Sequence, residues 1–218
     1  MTPVNQHVLA SNPAAPHDFT LKAPSPNAVN LATVVRQYPY LLERQYGWNG
    51  LCIEANQSSF RELAANRKSK CVNVCLDSCE RAVQFASVGP FGGIISTDTD
   101  NRKADGAQVL QMWTQTLGKL LLQQSAPREI DYLSIDVEGA EERVFAGVDM
   151  QEYRFRCMTV ERPCAALRAK LGKHGYLLIK EIPGYDCFYI HESFQAQYEN
   201  NAFAYYSKTL WAMRWKWR

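Results

Sequence analysis

The stretch Ile130–Glu141, IDYLSIDVEGAE, decides the fold. Its apolar core, Asp131–Ile135, is a short run that stops at an acid, as a strand buried on both faces of a sheet does. Val137, Glu138 and Gly139 follow. Glycine permits a tight turn at that point, and AEERVFAGV (Ala140–Val148) then has a helical pattern. The expectation is a central parallel strand that delivers Asp136 and Glu138 into a cleft.

The neighbouring segments extend this pattern on both sides. GLCIEAN (Gly50–Asn56) is a second apolar run ending at an acid. SSFRELAANRK follows with an apolar face of Phe60, Leu63 and Ala64, and with capping-box spacing between Ser59 and Glu62. KCVNVCL (Lys70–Leu76) reads as the next strand. Strand, helix and strand at this length make a right-handed βαβ unit. AVQFA (Ala82–Ala86) reads as a short strand, and Ser87–Gly106 as one long polar loop of the kind that carries specificity. Ala107–Gln124 reads as a single helix through Val109, Leu110, Trp113, Leu117, Leu120 and Leu121. CMTVE (Cys157–Glu161) is a strand broken by Pro163, with a helix over Cys164–Gly175. YLLIKEI and DCFYIH form a closing hairpin around Pro183–Gly184. Upstream, YPYLLERQY (Tyr38–Tyr46) reads as a helix ended by Gly47. Residues 1–30, with five prolines and no period, read as a loose extension. The domain is placed at 31–193, with an aromatic, basic and helical tail at 194–218.

At 46% apolar and 21% charged residues, the chain has enough to build a core. A net charge of +2 gives no electrostatic case for nucleic acid. No apolar run approaches the ~20 residues that cross a bilayer. The first residues lack the basic and apolar regions of a secretory signal. Seven cysteines, an odd number, do not read as a disulfide framework. These features together set the expectation of a reducing, cytoplasmic location. Cys71, Cys75 and Cys79 are evenly spaced, but no CxxC pair or nearby histidine completes a metal set. In the tail, Trp211 and Trp215 lie among Lys208, Arg214, Lys216 and Arg218. Packing against the domain is the favoured reading, and peripheral membrane contact the alternative.

Alternating strands and helices imply an open, mostly parallel sheet with helices on both faces. Ligands bind such sheets outside the carboxyl ends of the strands. Three acids stand there: Glu54, Asp136 and Glu161. Glu54 has two readings, a carboxylate accepting from ribose hydroxyls or a solvated acid at a helix start. Asp136 reads as a cleft-floor carboxylate that orients substrate or takes a proton, or as a helix-start acid. With Glu138 and Glu141 it makes three acids in six residues, more than a cap needs. Glu161 is either a site residue or the partner of Arg156 or Arg162.

GWNGLCIEAN, FRELAANR, CVNVCL, IDYLSIDVEGAE, VFAGVD, MTVE, HGY and DCFYIHES, in this order from Leu41 to Ser193, resemble an FkbM-type methyltransferase domain. The resemblance implies an α/β, Rossmann-like methyltransferase sheet, mostly parallel with a C-terminal antiparallel hairpin. It implies S-adenosylmethionine as cofactor and methylation of an oxygen on a small-molecule or glycan acceptor. Glu54, with Ala55 and Asn56 beside it, would hold the adenosyl ribose, and Leu76 and Asp77 would lie beside the adenine. Asp136 and Glu138 would sit near the transferred methyl, with Glu161 close behind. The family opens with a DIGANDG-like turn where this chain has NAVNLATVVR (Asn27–Arg36), without glycine or acid. The alternative is therefore a catalytically silent binding or trafficking module of the same fold, or a truncated gene product. A dinucleotide oxidoreductase is disfavoured, because no G-x-G-x-x-G occurs.

Overall fold

The computed structural model describes residues 7–11, 40, 42–44, 47–87, 92–101 and 106–196. Among the described residues, eleven strands form two mixed sheets, with short helices between them. The strands are β1 (His7–Ser11), β2 (Asn49–Glu54), β3 (Lys70–Asn73), β4 (Cys75–Leu76), β5 (Ala82–Ser87), β6 (Gly93–Ile94), β7 (Gln108–Gln115), β8 (Glu129–Ile135), β9 (Arg154–Glu161), β10 (Tyr176–Glu181) and β11 (Asp186–His191). The helices are α1 (Gln57–Asn66), α2 (Leu117–Gln123), α3 (Glu141–Ala146) and α4 (Ala165–Lys173).

The larger sheet has the order β10-β11-β9-β8-β1-β2-β3. β8 pairs parallel with β9, and β2 with β3. β1 lies antiparallel between β2 and β8, so those two run in the same direction. β11 is antiparallel to both β9 and β10, which gives the expected closing hairpin. The expectation of a mostly parallel sheet is therefore corrected: four of the six described pairings in this sheet are antiparallel. Part of the reason is β1. It falls in the segment read as a loose extension, and its backbone nevertheless fills a central slot of the sheet.

The smaller sheet, β4-β7-β5-β6, holds the other departures. The single strand expected at Lys70–Leu76 is divided, β3 pairing in one sheet and β4 in the other. The single helix expected over Ala107–Gln124 is strand β7 followed by α2. β7 pairs with β5 from Ala82↔Trp113 to Ser87↔Gln108, and Thr116 caps α2 by accepting from the Lys119 N–H at 3.2 Å. The alternation of inward Leu110, Met112 and Thr114 with outward Val109, Gln111 and Trp113 is a strand pattern. The loop expected over Ser87–Gly106 contains β6, paired with β5. α1 is capped by Asn56 rather than Ser59, its side chain accepting from the N–H groups of Ser58 and Ser59.

The core lies where α2, α3 and α4 cover one face of the larger sheet, through Leu121, Phe145, Leu171, Ile135, Phe155 and Val160. Trp48, Cys52, Leu63 and Tyr132 form a smaller cluster on the opposite face. Ile53 and Cys52 thus point to opposite sides of β2, as the period of a strand requires. Among the described residues no helix is long and apolar enough to cross a membrane, and no cluster of side chains could hold a metal ion. Residues 27–36 and the tail beyond 196 lie outside the described residues.

Candidate active site

β2, β8 and β9 run in one direction and end at one rim. Glu54 is the last residue of β2, Asp136 follows β8, and Glu161 is the last residue of β9. Glu54 and Asp136 line one narrow cleft, together with Ala55, Leu76, Phe85, Gly93, Ile94 and Ala140. The smaller sheet therefore supplies one wall and the carboxyl ends of the larger sheet supply the other.

Glu54 is 5% exposed. Its Oε1 accepts the Asn56 N–H at 2.7 Å, and its buried Oε2 has no hydrogen-bond partner. Desolvation pushes its carboxyl up to about 8, against the pull of the Asn56 and Ala55 N–H groups. Asp136 is pushed up to about 9, by desolvation first and then by a hydrogen bond to Glu161 and the charges of Glu161, Glu138 and Glu141.

The turn after β8 divides its acids. Glu141 is buried, and its Oε1 accepts from the N–H groups of Val137 at 3.0 Å and Gly139 at 3.3 Å. It closes the turn. Glu138 has φ +53°, and its carbonyl accepts the Asp100 N–H at 3.0 Å. Gly139 has φ +90°, and a Cβ there would stand 2.7 Å from the Asp100 nitrogen. The loop 96–101 thus closes directly over the turn. Arg162, with φ +37°, donates from Nη2 to Asp100 Oδ2 at 2.6 Å, to Glu161 Oε2 at 3.2 Å and to Glu138 Oε2 at 3.4 Å.

The family profile of the Methyltransferase FkbM domain matches residues 24–178, more than half of the chain. The chain belongs to the FkbM methyltransferase domain family. No protein of curated function and no solved structure gives a match.

In this FkbM domain, Glu54, Ala55, Leu76 and Asp136 come together in the cleft, and Glu138 and Glu161 stand at its rim. Asn56 and Asp77 are committed elsewhere. The Asn56 side chain caps α1 and donates from Nδ2 to Ser87 Oγ at 2.8 Å. Asp77 is fully buried and receives Arg143 Nε at 2.8 Å, Arg143 Nη2 at 2.6 Å and Arg81 Nε at 2.8 Å, while its N–H donates to the Gln115 carbonyl. Sequence reasoning missed the wall made by Phe85, in a segment read as a short strand, and by Gly93–Ile94, in a segment read as loop. It named Arg162 only as a bland partner for Glu161. The left-handed backbone of Arg162 and its contact with Asp100 have no local sequence signal.

Proposed function

We propose that this FkbM domain is an S-adenosylmethionine-dependent methyltransferase acting on a hydroxyl oxygen of a small-molecule or glycan acceptor. The observation that carries the reading is Glu54 Oε2, a buried oxygen without a donor, at the end of a strand in the cleft. A carboxylate in that position suits the hydroxyls of a ribose, which supply the missing donors. Leu76 offers an apolar surface for a flat ring, whereas Asp77 has its carboxylate and N–H already engaged. The strand order and the shared direction of β2, β3, β8 and β9 support a Rossmann-like methyltransferase sheet, in which ligands bind at this rim.

When bound, the cofactor supplies a methyl carbon on a cationic sulfonium, and its sulfur leaves as a thioether. A cation bound here would favour the charged forms of Glu54 and Asp136, which burial otherwise disfavours. Positioning is the main task of the chain in such a transfer. Asp136 and Glu161, which follow adjacent residues of the parallel strands β8 and β9, would take the hydroxyl proton, and Glu138 would shape the rim. Calorimetry with S-adenosylmethionine tests the reading. Micromolar binding that is lost in Glu54→Ala and weakened in Glu54→Gln is expected. Absence of binding at millimolar ligand, or binding indifferent to both substitutions, would overturn it.

A second reading has its own observation: Asn27–Arg36 lacks the glycine and acid of the family's opening turn. On that reading the domain is a catalytically silent binding module, and the same calorimetry would show no binding.

A further inference from the structure

Residues 92–101 bridge the two walls of the cleft. Gly92, Gly93 and Ile94 line one side, and Val137, in the turn after β8, lines the other. β6 attaches this segment to the smaller sheet at Phe85↔Ile94 and Ala86↔Gly93, and the Ile95 N–H adds a bond to the Gln84 carbonyl at 2.8 Å. Beyond β6 the segment is folded on itself. The Thr99 hydroxyl donates to the Ile94 carbonyl at 2.7 Å, and the Ser96 N–H to the Asn101 carbonyl at 3.3 Å. Asp98 and Asp100 then tie it to the opposite wall. The Asp100 N–H donates to the Glu138 carbonyl at 3.0 Å, Arg162 Nη2 donates to Asp100 Oδ2 at 2.6 Å, and Arg143 Nη1 reaches Asp98 Oδ1 at 3.4 Å. The Arg162 N–H donates to the Tyr185 carbonyl at 2.7 Å, so the hairpin of β10 and β11 anchors the far end of this tie. With the two walls tied, the cleft has a volume of about 30 Å³, room for roughly two waters. A ribose carrying a flat ring is far larger. Yet Glu54, whose buried Oε2 lacks a donor, faces this space and marks it as a place for a ligand.

We propose that residues 92–101 are a latched strap, that the Arg162–Asp100 ion pair is its latch, and that the cleft admits a ligand of nucleoside size when the strap parts from the turn after β8. The latch suits this task. Its side chains are 42% and 46% exposed, so water takes over both charges when they separate, and the pair holds the strap without locking it. Glu161 and Glu138, at 3.2 and 3.4 Å from the same Nη2, keep Arg162 in place after Asp100 leaves. Arg143 likewise stays on Asp77, its bidentate partner, when Asp98 departs. Opening bares Ile94, Phe85 and Cys75, which pack together under the strap. Burial of that apolar surface favours the closed state without ligand, and a flat ring would cover it in the open one. That the ligand is S-adenosylmethionine rests on the reading of the cleft given above; the strap and its latch do not.

Cys75 gives a test that needs no ligand. It lines the cleft and is 3% exposed. Alkylation of the full chain with iodoacetamide, followed site by site by peptide mass spectrometry, measures how often Cys75 is uncovered. Cys52 and Cys187, buried away from the cleft, measure loosening of the fold as a whole. Asp100→Asn and Arg162→Gln are each expected to speed labelling of Cys75 about two- to fivefold, with Cys52 and Cys187 unchanged. The double variant should label no faster than the faster single one, since both substitutions remove the same bond. Unchanged labelling of Cys75, or rates that multiply in the double variant, would overturn the latch. So would labelling of Cys52 that rises in step with Cys75, because the pair would then support the fold rather than the strap. Asp100→Asn, at a half-exposed side chain, decides alone between these outcomes should Arg162→Gln fail to fold. Protection of Cys75 by S-adenosylmethionine is expected from the cofactor reading; its absence would count against that reading and leave the effect of the latch variants as it is.

Discussion

Glu54 gives the sharpest quantitative prediction, because its carboxyl costs the ligand-free protein stability in a pH-dependent way. Its folded-state value, about 8, stands above the ordinary 4.5. Between those two values the folded chain holds a proton that the unfolded chain has lost. The favourable term is therefore fully present below about 4.5 and is lost as pH rises through about 8, at about 1.4 kcal/mol per pH unit. From pH 5 to pH 8 the loss is at most about 4 kcal/mol, and relaxation around the charge reduces it. Glu54→Gln keeps the acceptor for the Asn56 N–H and removes the titration. The new amide is itself a buried donor without an acceptor, which costs about 1–3 kcal/mol at every pH. The slope is thus diagnostic and the offset is not. Urea unfolding of both proteins across pH 5 to 9, with reductant for the seven free cysteines, gives the difference directly. Asp136 and Glu141, also raised, act in both proteins and largely cancel. The variant should gain about 2–4 kcal/mol on the wild type between pH 5 and pH 8. Parallel stability curves would refute the account of Glu54 as a desolvated acid.

Two further outcomes test the supports of the site. Arg143→Ala removes the bidentate partner of fully buried Asp77 and should cost about 3 kcal/mol, whereas Arg81→Ala, at a half-exposed side chain, should cost less than about 1 kcal/mol. Equal losses in urea unfolding would show that the pairing is not what holds Asp77. Gly139→Ala places a Cβ against the Asp100 nitrogen at φ +90° and should cost more than about 1 kcal/mol. Hydrogen exchange at the Asp100 amide, now bonded to the Glu138 carbonyl, should accelerate, and unchanged protection there would contradict the close approach.

The strand ends were legible because their signal is local. A short apolar run that stops at an acid needs no knowledge of neighbours: Glu54 and Glu161 end strands and Asp136 directly follows one, where each was expected. β7 was not legible, because QVLQMWTQ followed by TLGKLLLQ satisfies both periods. Val109, Leu110, Trp113, Leu117 and Leu120 fall at helical spacing, yet Trp113 is 67% exposed on the outer face of a strand. The tie-breaker is tertiary: buried Thr114 accepts the Arg81 N–H and donates to the Cys79 carbonyl, residues more than thirty positions away. The roles of Asp77 and Arg162 were hidden for the same reason. Asp77 was read as a cofactor neighbour, but its charge is answered by Arg143, 66 residues further along. Arg162 stands next to Glu161 in sequence, but Asp100 is 62 residues from it.

The acids at this rim are not equivalent, and the difference bears on function more than their number does. Glu141 is answered by two backbone N–H groups, Glu138 by Arg162, and Asp136 by Glu161. The arrangements of Glu141 and Glu138 would serve a fold that binds nothing, whereas Asp136 lines the cleft itself. Glu54 is different: one oxygen is satisfied by Asn56, and the other is buried without a donor. A buried carboxyl in that condition lowers stability, and an apolar residue of similar size would not. A ligand that brings hydroxyl donors relieves the cost, and one that also brings a positive charge relieves the repulsion among the neighbouring acids. The case for a cofactor therefore rests on the end of β2, in GLCIEAN, more firmly than on the IDYLSIDVEGAE strand that first revealed the fold.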